Sequence, residues 1–189
     1  MMSSLMGLLA LLPLLVLLVV ITKHDVSRRR IPNRLVLIGI LVGLFLNGLL
    51  PIGMGFNSSM TGGLGWLEGL QGAVVGIAVL LPIYWLKALG AGDVKLMGMI
   101  GAFLGTVDVL GVVLATFIVG GVMALGVAFW SKRLIVLLQN IKFMLLGSMV
   151  NIGIGRPPVM NDLPVSVGKL PYAVAISLGT FTYLIWQRL

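Results

Sequence analysis

The sequence predicts an all-α membrane protein: a polytopic bundle of six transmembrane helices, with the N-terminus outside. Three observations lead there. Hydrophobic residues make up 59% of the 189 residues and charged residues only 10%, against about 25% charged in a soluble domain. Apolar runs near the length that crosses a bilayer alternate with short polar segments. The basic residues, 13 in all, fall almost entirely on one side of the resulting layout. The chain is short enough for one membrane domain over residues 1–189, with no room for a separate soluble one.

The first span is residues 5–21, a nearly unbroken Leu/Val run. Met1 to Ser4 carry no positive side chain, and the charges follow the run instead. That order reads as a retained span rather than a signal peptide, whose basic region comes first. Residues 22–34 form the most polar segment, with Lys23, His24, Asp25 and Arg28 to Arg30. Pro32 suits the start of the next helix, where its missing N–H is not needed. The second span is residues 35–50, ending at Pro51 and a Gly/Ser/Asn loop without Lys or Arg.

The third span is residues 67–86, with Glu68 at its start. The fourth, residues 94–107, covers only ~21 Å at 1.5 Å per residue, short of the ~30 Å core. Asp93 is therefore expected just inside the membrane boundary. The fifth span is residues 109–130 and the sixth residues 170–186. Between them, residues 134–150 are apolar but interrupted by Gln139, Asn140 and Lys142. They are expected to lie on the inner surface as an amphipathic helix near 134–147. With this layout every basic residue except Arg188 faces inward. Gly39/Gly43, Gly72/Gly76 and Gly101/Gly105 have the spacing that lets helix backbones approach closely.

Composition excludes several chemistries. Cys is absent, so disulfides, thiolate metal sites and a Cys nucleophile are ruled out. One His cannot supply the two-His zinc motif of a metalloprotease. A Ser-His protease would have to use His24, with no Gly-x-Ser-x-Gly element. Gly90-x-Gly92 begins like a dinucleotide fingerprint, but its third glycine position is Lys95 and no βαβ unit is present. No cofactor and no metal are expected. The net charge of +8 marks inward loops rather than nucleic-acid binding, since no aromatic-basic module accompanies it.

The five acids are Asp25, Glu68, Asp93, Asp108 and Asp162. An ionisable group at membrane depth costs roughly 2.5–3.5 kcal/mol, so Asp93 demands a reason. The topology puts Asp25 and Asp93 at similar depth on the inner face, and Glu68 and Asp108 on the outer boundary. Two carboxylates held close share a proton. The ionised one can deprotonate a water that attacks a peptide carbonyl, while its protonated partner donates to the developing oxyanion. Gly90 and Gly92 would allow unusual torsions and close approach of an extended substrate.

His24-Asp25 through Ile31-Pro32-Asn33, joined to Gly90-Ala91-Gly92-Asp93-Val94-Lys95-Leu96, resembles the type IV prepilin peptidases, intramembrane aspartyl proteases with a Gly-x-Gly-Asp motif. Leu170-Pro171-Tyr172-Ala173 also looks like the closing element of that family. The resemblance implies that Asp25 and Asp93 are the catalytic pair, with Gly90, Gly92, Lys95, Pro32 and Asn33 as the supporting motif. It implies an endopeptidase of the prokaryotic cytoplasmic membrane that removes the basic leader of prepilins or pilin-like proteins at the cytoplasmic face. Larger members also N-methylate the product and carry an additional cytoplasmic region near the N-terminus. This sequence lacks that region, so methylation is not expected. The compact form is more like the peptidases of tight-adherence (Flp) pilus systems or the archaeal preflagellin peptidases, and the Asp93-Val94-Lys95-Leu96 continuation favours the bacterial group. The competing reading is a small proton- or cation-coupled transporter with Asp93 as relay. Against it, no inverted repeat is visible.

Overall fold

The computed structural model describes residues 2–49, 64–86, 89–131, 135, 139, 142 and 172–187. Among them are five helices and no strand: α1 (Met2–Arg28), α2 (Asn33–Leu49), α3 (Trp66–Trp85), α4 (Ala91–Trp130) and α5 (Tyr172–Trp186). α3 and α4 are long and apolar enough to cross a membrane, and α2 and α5 are shorter apolar helices. Of the expected surface helix near 134–147, only Ile135, Gln139 and Lys142 are described; they are helical and exposed. The rest of it, and Leu170-Pro171, lie outside the described residues.

α1 runs well past the apolar segment. No Gly or Pro interrupts residues 14–28, so the helix carries Asp25 on its last turns instead of handing it to a loop. It stops at Arg29, whose φ of 52° makes it the sole non-glycine residue with positive φ among those described. The Arg29 N–H returns to the Asp25 carbonyl at 2.7 Å, the single bond of a left-handed helix cap. That conformation costs an L-residue roughly 1–2 kcal/mol. Pro32 then starts α2: its carbonyl accepts from the N–H groups of Leu35 and Val36 at 3.1 and 3.3 Å.

α4 is two helical arms joined end to end at Gly105, with φ 84° and ψ −175°. The first arm, residues 91–104, is the centre of the bundle: every residue from Leu96 to Gly105 is buried. α3 lies antiparallel along it, with Gly72 against Gly101 and Gly76 against Met97. α2 lies parallel to it on another side, with Gly39 against Met99 and Gly43 against Ala102. A Cβ at Gly101 would collide with the Gly72 carbonyl, so this crossing exists only because both residues are glycine. The second arm, residues 106–130, runs back the other way. Its Gly111 meets Tyr183, its Thr116 meets Gly179 and its Gly120 approaches Tyr172, so it is antiparallel to α5. The expected boundary between the fourth and fifth spans, at Asp108, falls at Gly105.

A reversal at one residue leaves helix-end polar groups to satisfy, and side chains from other helices satisfy them. Asn47, fully buried, donates to the Ala102 and Phe103 carbonyls at 2.8 and 3.2 Å. Glu68 Oε1 accepts from the Thr106 N–H at 3.2 Å and from its hydroxyl. Asp108 Oδ1 accepts from Tyr183 Oη at 2.9 Å and Gln187 Nε2 at 3.0 Å. Glu68 and Asp108 do lie together at one end of the bundle. They are not free boundary charges, however; they hold the turn of α4 in place.

α1 is the least attached helix. It packs on α2 and α5 and meets α4 at few points. Its link to α5 includes a hydrogen bond between the Thr22 and Ser177 hydroxyls at 2.6 Å. All four tryptophans stand exposed at helix ends. Trp66 and Trp186 are at the Glu68/Asp108 end, and Trp85 and Trp130 at the other.

Candidate active site

Three stretches meet at the Trp85/Trp130 end: the last turns of α1, the connection 29–32 and the first turn of α4. The first turn of α4 is built on Gly90, whose carbonyl accepts from the N–H groups of Asp93 at 3.1 Å and Val94 at 3.4 Å. Asp93 is the third helical residue, and its Oδ2 accepts from the Gly90 N–H at 3.1 Å. This is the acidic half of a capping box, and an acid there also complements the helix dipole. One carboxylate oxygen is thereby fixed. Among the described residues, nothing hydrogen-bonds to Oδ1.

Gly90 and Gly92 serve close approach alone. Neither has positive φ, so the torsional freedom expected of them is not used. A Cβ at Gly92 would lie 3.0 Å from the Cβ of Ile31. The missing side chain lets the connection lie directly on the first turn of α4. Lys95 Nζ donates to Asn33 Oδ1 at 3.1 Å, which fastens the start of α2 to the same turn.

Asp25 comes to this place from α1. Its side chain is buried at 8% exposure, and among the described residues nothing hydrogen-bonds or ion-pairs with its carboxylate. Asp25 and Asp93 line one open cavity of about 380 Å³, within the usual 300–1,000 Å³ of ligand sites. Gly90, Gly92, Asn33 and Lys95 also line the cavity, and so do Arg29, Arg30 and Ile31. Pro32, grouped with them from the sequence, does not line it; its contribution is the start of α2. His24 does not line it either, and its Nδ1 is buried without a partner among the described residues. No group of three or more metal-ligating side chains occurs among the described residues.

Asp25 and Asp93, 68 residues apart in sequence, thus share one open pocket. The family model for type IV leader peptidases matches residues 12–125, which include both aspartates and most of α4. The chain belongs to the type IV leader peptidase family. It is therefore a protease of the leader-peptidase kind, and its substrates in general terms are prepilins. No curated protein and no solved structure matches the peptidase significantly.

Sequence reasoning missed Arg29 as a cavity residue and Asn47 as a helix-break partner. Arg29 was hidden within a basic run that reads as a topology signal. Asn47 sits in an apolar span, and its partners lie 55 and 56 residues away.

Proposed function

We propose that the peptidase is an intramembrane aspartyl endopeptidase in which Asp25 and Asp93 are the catalytic pair. The observation that carries this reading is their common cavity. Two carboxylates in one cavity make a second charge costly, so the proposed mechanism starts with one proton between them. The ionised member takes a proton from water, and the resulting nucleophile attacks the scissile carbonyl. The protonated member donates its proton to the oxyanion. As the C–N bond breaks, the first member passes the proton taken from water to the departing amine, and the second recovers a proton from the gem-diol hydroxyl as the carbonyl re-forms. Asp93 keeps its orientation through Gly90, leaving its second oxygen for the water.

The proposed substrate is a type IV prepilin or pilin-like protein, cut at its leader on the cytoplasmic face. The proposed reaction is hydrolysis alone, by a single membrane domain over residues 1–189. Six spans follow if the two arms of α4 each cross, and the bias of the basic residues toward the Asp25/Asp93 end supports an outside N-terminus. Exposed tryptophans at both ends support a bilayer placed between them, since Trp favours the interfaces. Gly76 packs against Met97, which puts Asp93 level with Leu80. That is about five residues, or ~7 Å, short of Trp85, below the membrane surface yet open to it.

Leader cleavage by the purified protein in lipid vesicles tests the reading, with Asp25→Asn and Asp93→Asn in parallel. Wild type is expected to release the leader and both variants to be inactive. Processing by either variant near the wild-type rate overturns the paired mechanism. Ion flux without cleavage would favour a transporter.

A further inference from the structure

Asp25 and Asp93 line one cavity, yet they stand on helices with little in common. α1 meets α4 at few points, and among the described residues no hydrogen bond joins the two helices. The hydrogen bond of α1 to α5, between Thr22 and Ser177, lies about one turn before Asp25. Something else must hold the end of α1 at the cavity.

The connection 29–32 and the first residue of α2 supply that hold. The connection has little freedom of its own. The Arg29 N–H is bonded to the Asp25 carbonyl at 2.7 Å, and Pro32 has a ring-fixed φ and a carbonyl that takes the first N–H groups of α2. It rests on α4 at two places. Ile31 lies on Gly92 with no room for a side chain between them, a contact without direction. Lys95 Nζ donates to Asn33 Oδ1 at 3.1 Å, a directional bond strengthened by the ammonium charge. Asn is a residue type whose side-chain oxygen caps helix starts. At the start of α2 that oxygen goes to another helix instead.

We infer that the Lys95–Asn33 hydrogen bond is a latch that holds Asp25 in register with Asp93, which makes Lys95 and Asn33 positioning residues. This rests on the peptidase reading above and adds to it the device that assembles the pair. Lys95 lies two residues beyond Asp93 on α4. Asn33 is joined to Asp25 through the αL cap and the proline. A bond between their side chains therefore ties the two acids through short, stiff paths, although they come from weakly connected helices.

Kinetics and distances test the latch together. The substrate is a quenched-fluorescent peptide of a prepilin leader junction, with the protein in phosphatidylcholine vesicles. Asn33→Ala and Lys95→Met are each expected to lower kcat about ten-fold, the low end for a hydrogen bond with one charged partner, with KM within about two-fold. The double variant is expected to fall no further than the slower single one. Lys95→Arg, which keeps a donor, is expected to retain at least a third of the wild-type kcat. The absence of cysteine allows nitroxide labels at Val26→Cys on α1 and Tyr84→Cys on α3, both exposed positions. Their distance distribution is expected to broaden in Asn33→Ala and Lys95→Met and to stay narrow in Lys95→Arg. Additive losses, a loss in KM alone, or an unchanged distance distribution in Asn33→Ala overturns the inference while leaving the peptidase reading intact. Wild-type kcat in Asn33→Ala beside a slow Lys95→Met means that Lys95 acts through its charge, and overturns it too. No cleavage by wild type removes the peptidase reading, and this inference with it.

Discussion

The Asp93 carboxylate accepts a hydrogen bond from the Gly90 N–H at 3.1 Å, so the same side chain closes the first turn of α4 and lines the cavity it shares with Asp25. The two roles separate by substitution. Asp93→Asn keeps an acceptor oxygen for the cap, whereas Asp93→Ala loses it. Both are expected to abolish leader cleavage, but only Asp93→Ala is expected to lose about 1 kcal/mol of stability. Thermal unfolding in detergent, measured beside the cleavage assay, checks the pair.

Asp25 presents the opposite case. Its side chain is 8% exposed, and no hydrogen bond or ion pair among the described residues depends on its carboxylate. Asp25→Asn is expected to be inactive yet at least as stable as wild type. A clear drop in unfolding temperature would reveal a structural bond that the substrate-free arrangement does not contain.

The glycine crossing of α3 and α4 gives a steric prediction. In Gly101→Ala the new methyl meets the Gly72 carbonyl, and overpacking of this kind costs about 1–3 kcal/mol. In Gly121→Ala nothing lies within 4 Å of the new methyl, and relief of helical glycine entropy is expected to add roughly 0.5–1 kcal/mol. Unfolding temperatures that move in opposite directions confirm that close backbone approach, not glycine content, holds these helices together.

Asn47 tests how the reversal of α4 is held. Asn47→Leu removes both donors to the Ala102 and Phe103 carbonyls, with an expected loss of about 1–3 kcal/mol for the buried groups left unpaired. Chemical unfolding in mixed micelles would measure it. No loss would mean that water reaches the break at Gly105.

Much of the architecture was legible because long apolar runs announce themselves. The apolar runs located α2, α3 and α5 to within about two residues at the described ends, and charge asymmetry put Asp25 and Asp93 at one end and Glu68 and Asp108 at the other. α1 extends beyond the apolar run to Arg28, because hydropathy marks where apolar residues end and not where a helix ends. The break at Gly105 had a local signal that was overlooked. Gly65, Gly90 and Gly105 are each followed three residues later by an acid, Glu68, Asp93 and Asp108, the spacing of a helix start. Reading Gly105 only as the partner of Gly101 concealed it. The hydrogen bonds of Glu68 and Asp108 were beyond reach of any local pattern, because their partners Thr106, Tyr183 and Gln187 are fixed by how distant helices pack. The catalytic assignment of the two aspartates rested on motif and topology. Their shared cavity adds a spatial argument, and the Asn variants provide its chemical test.

The uneven anchoring of α1 and α4 has a practical consequence. One aspartate rides on the helix that every neighbour grips, the other on the helix with the fewest attachments. Solvents that thin the lateral pressure on the bundle will part the acids before they disturb the helix content, so a sample can look intact by circular dichroism and still be silent. Extraction conditions should be ranked by turnover, and short-chain detergents will rank last.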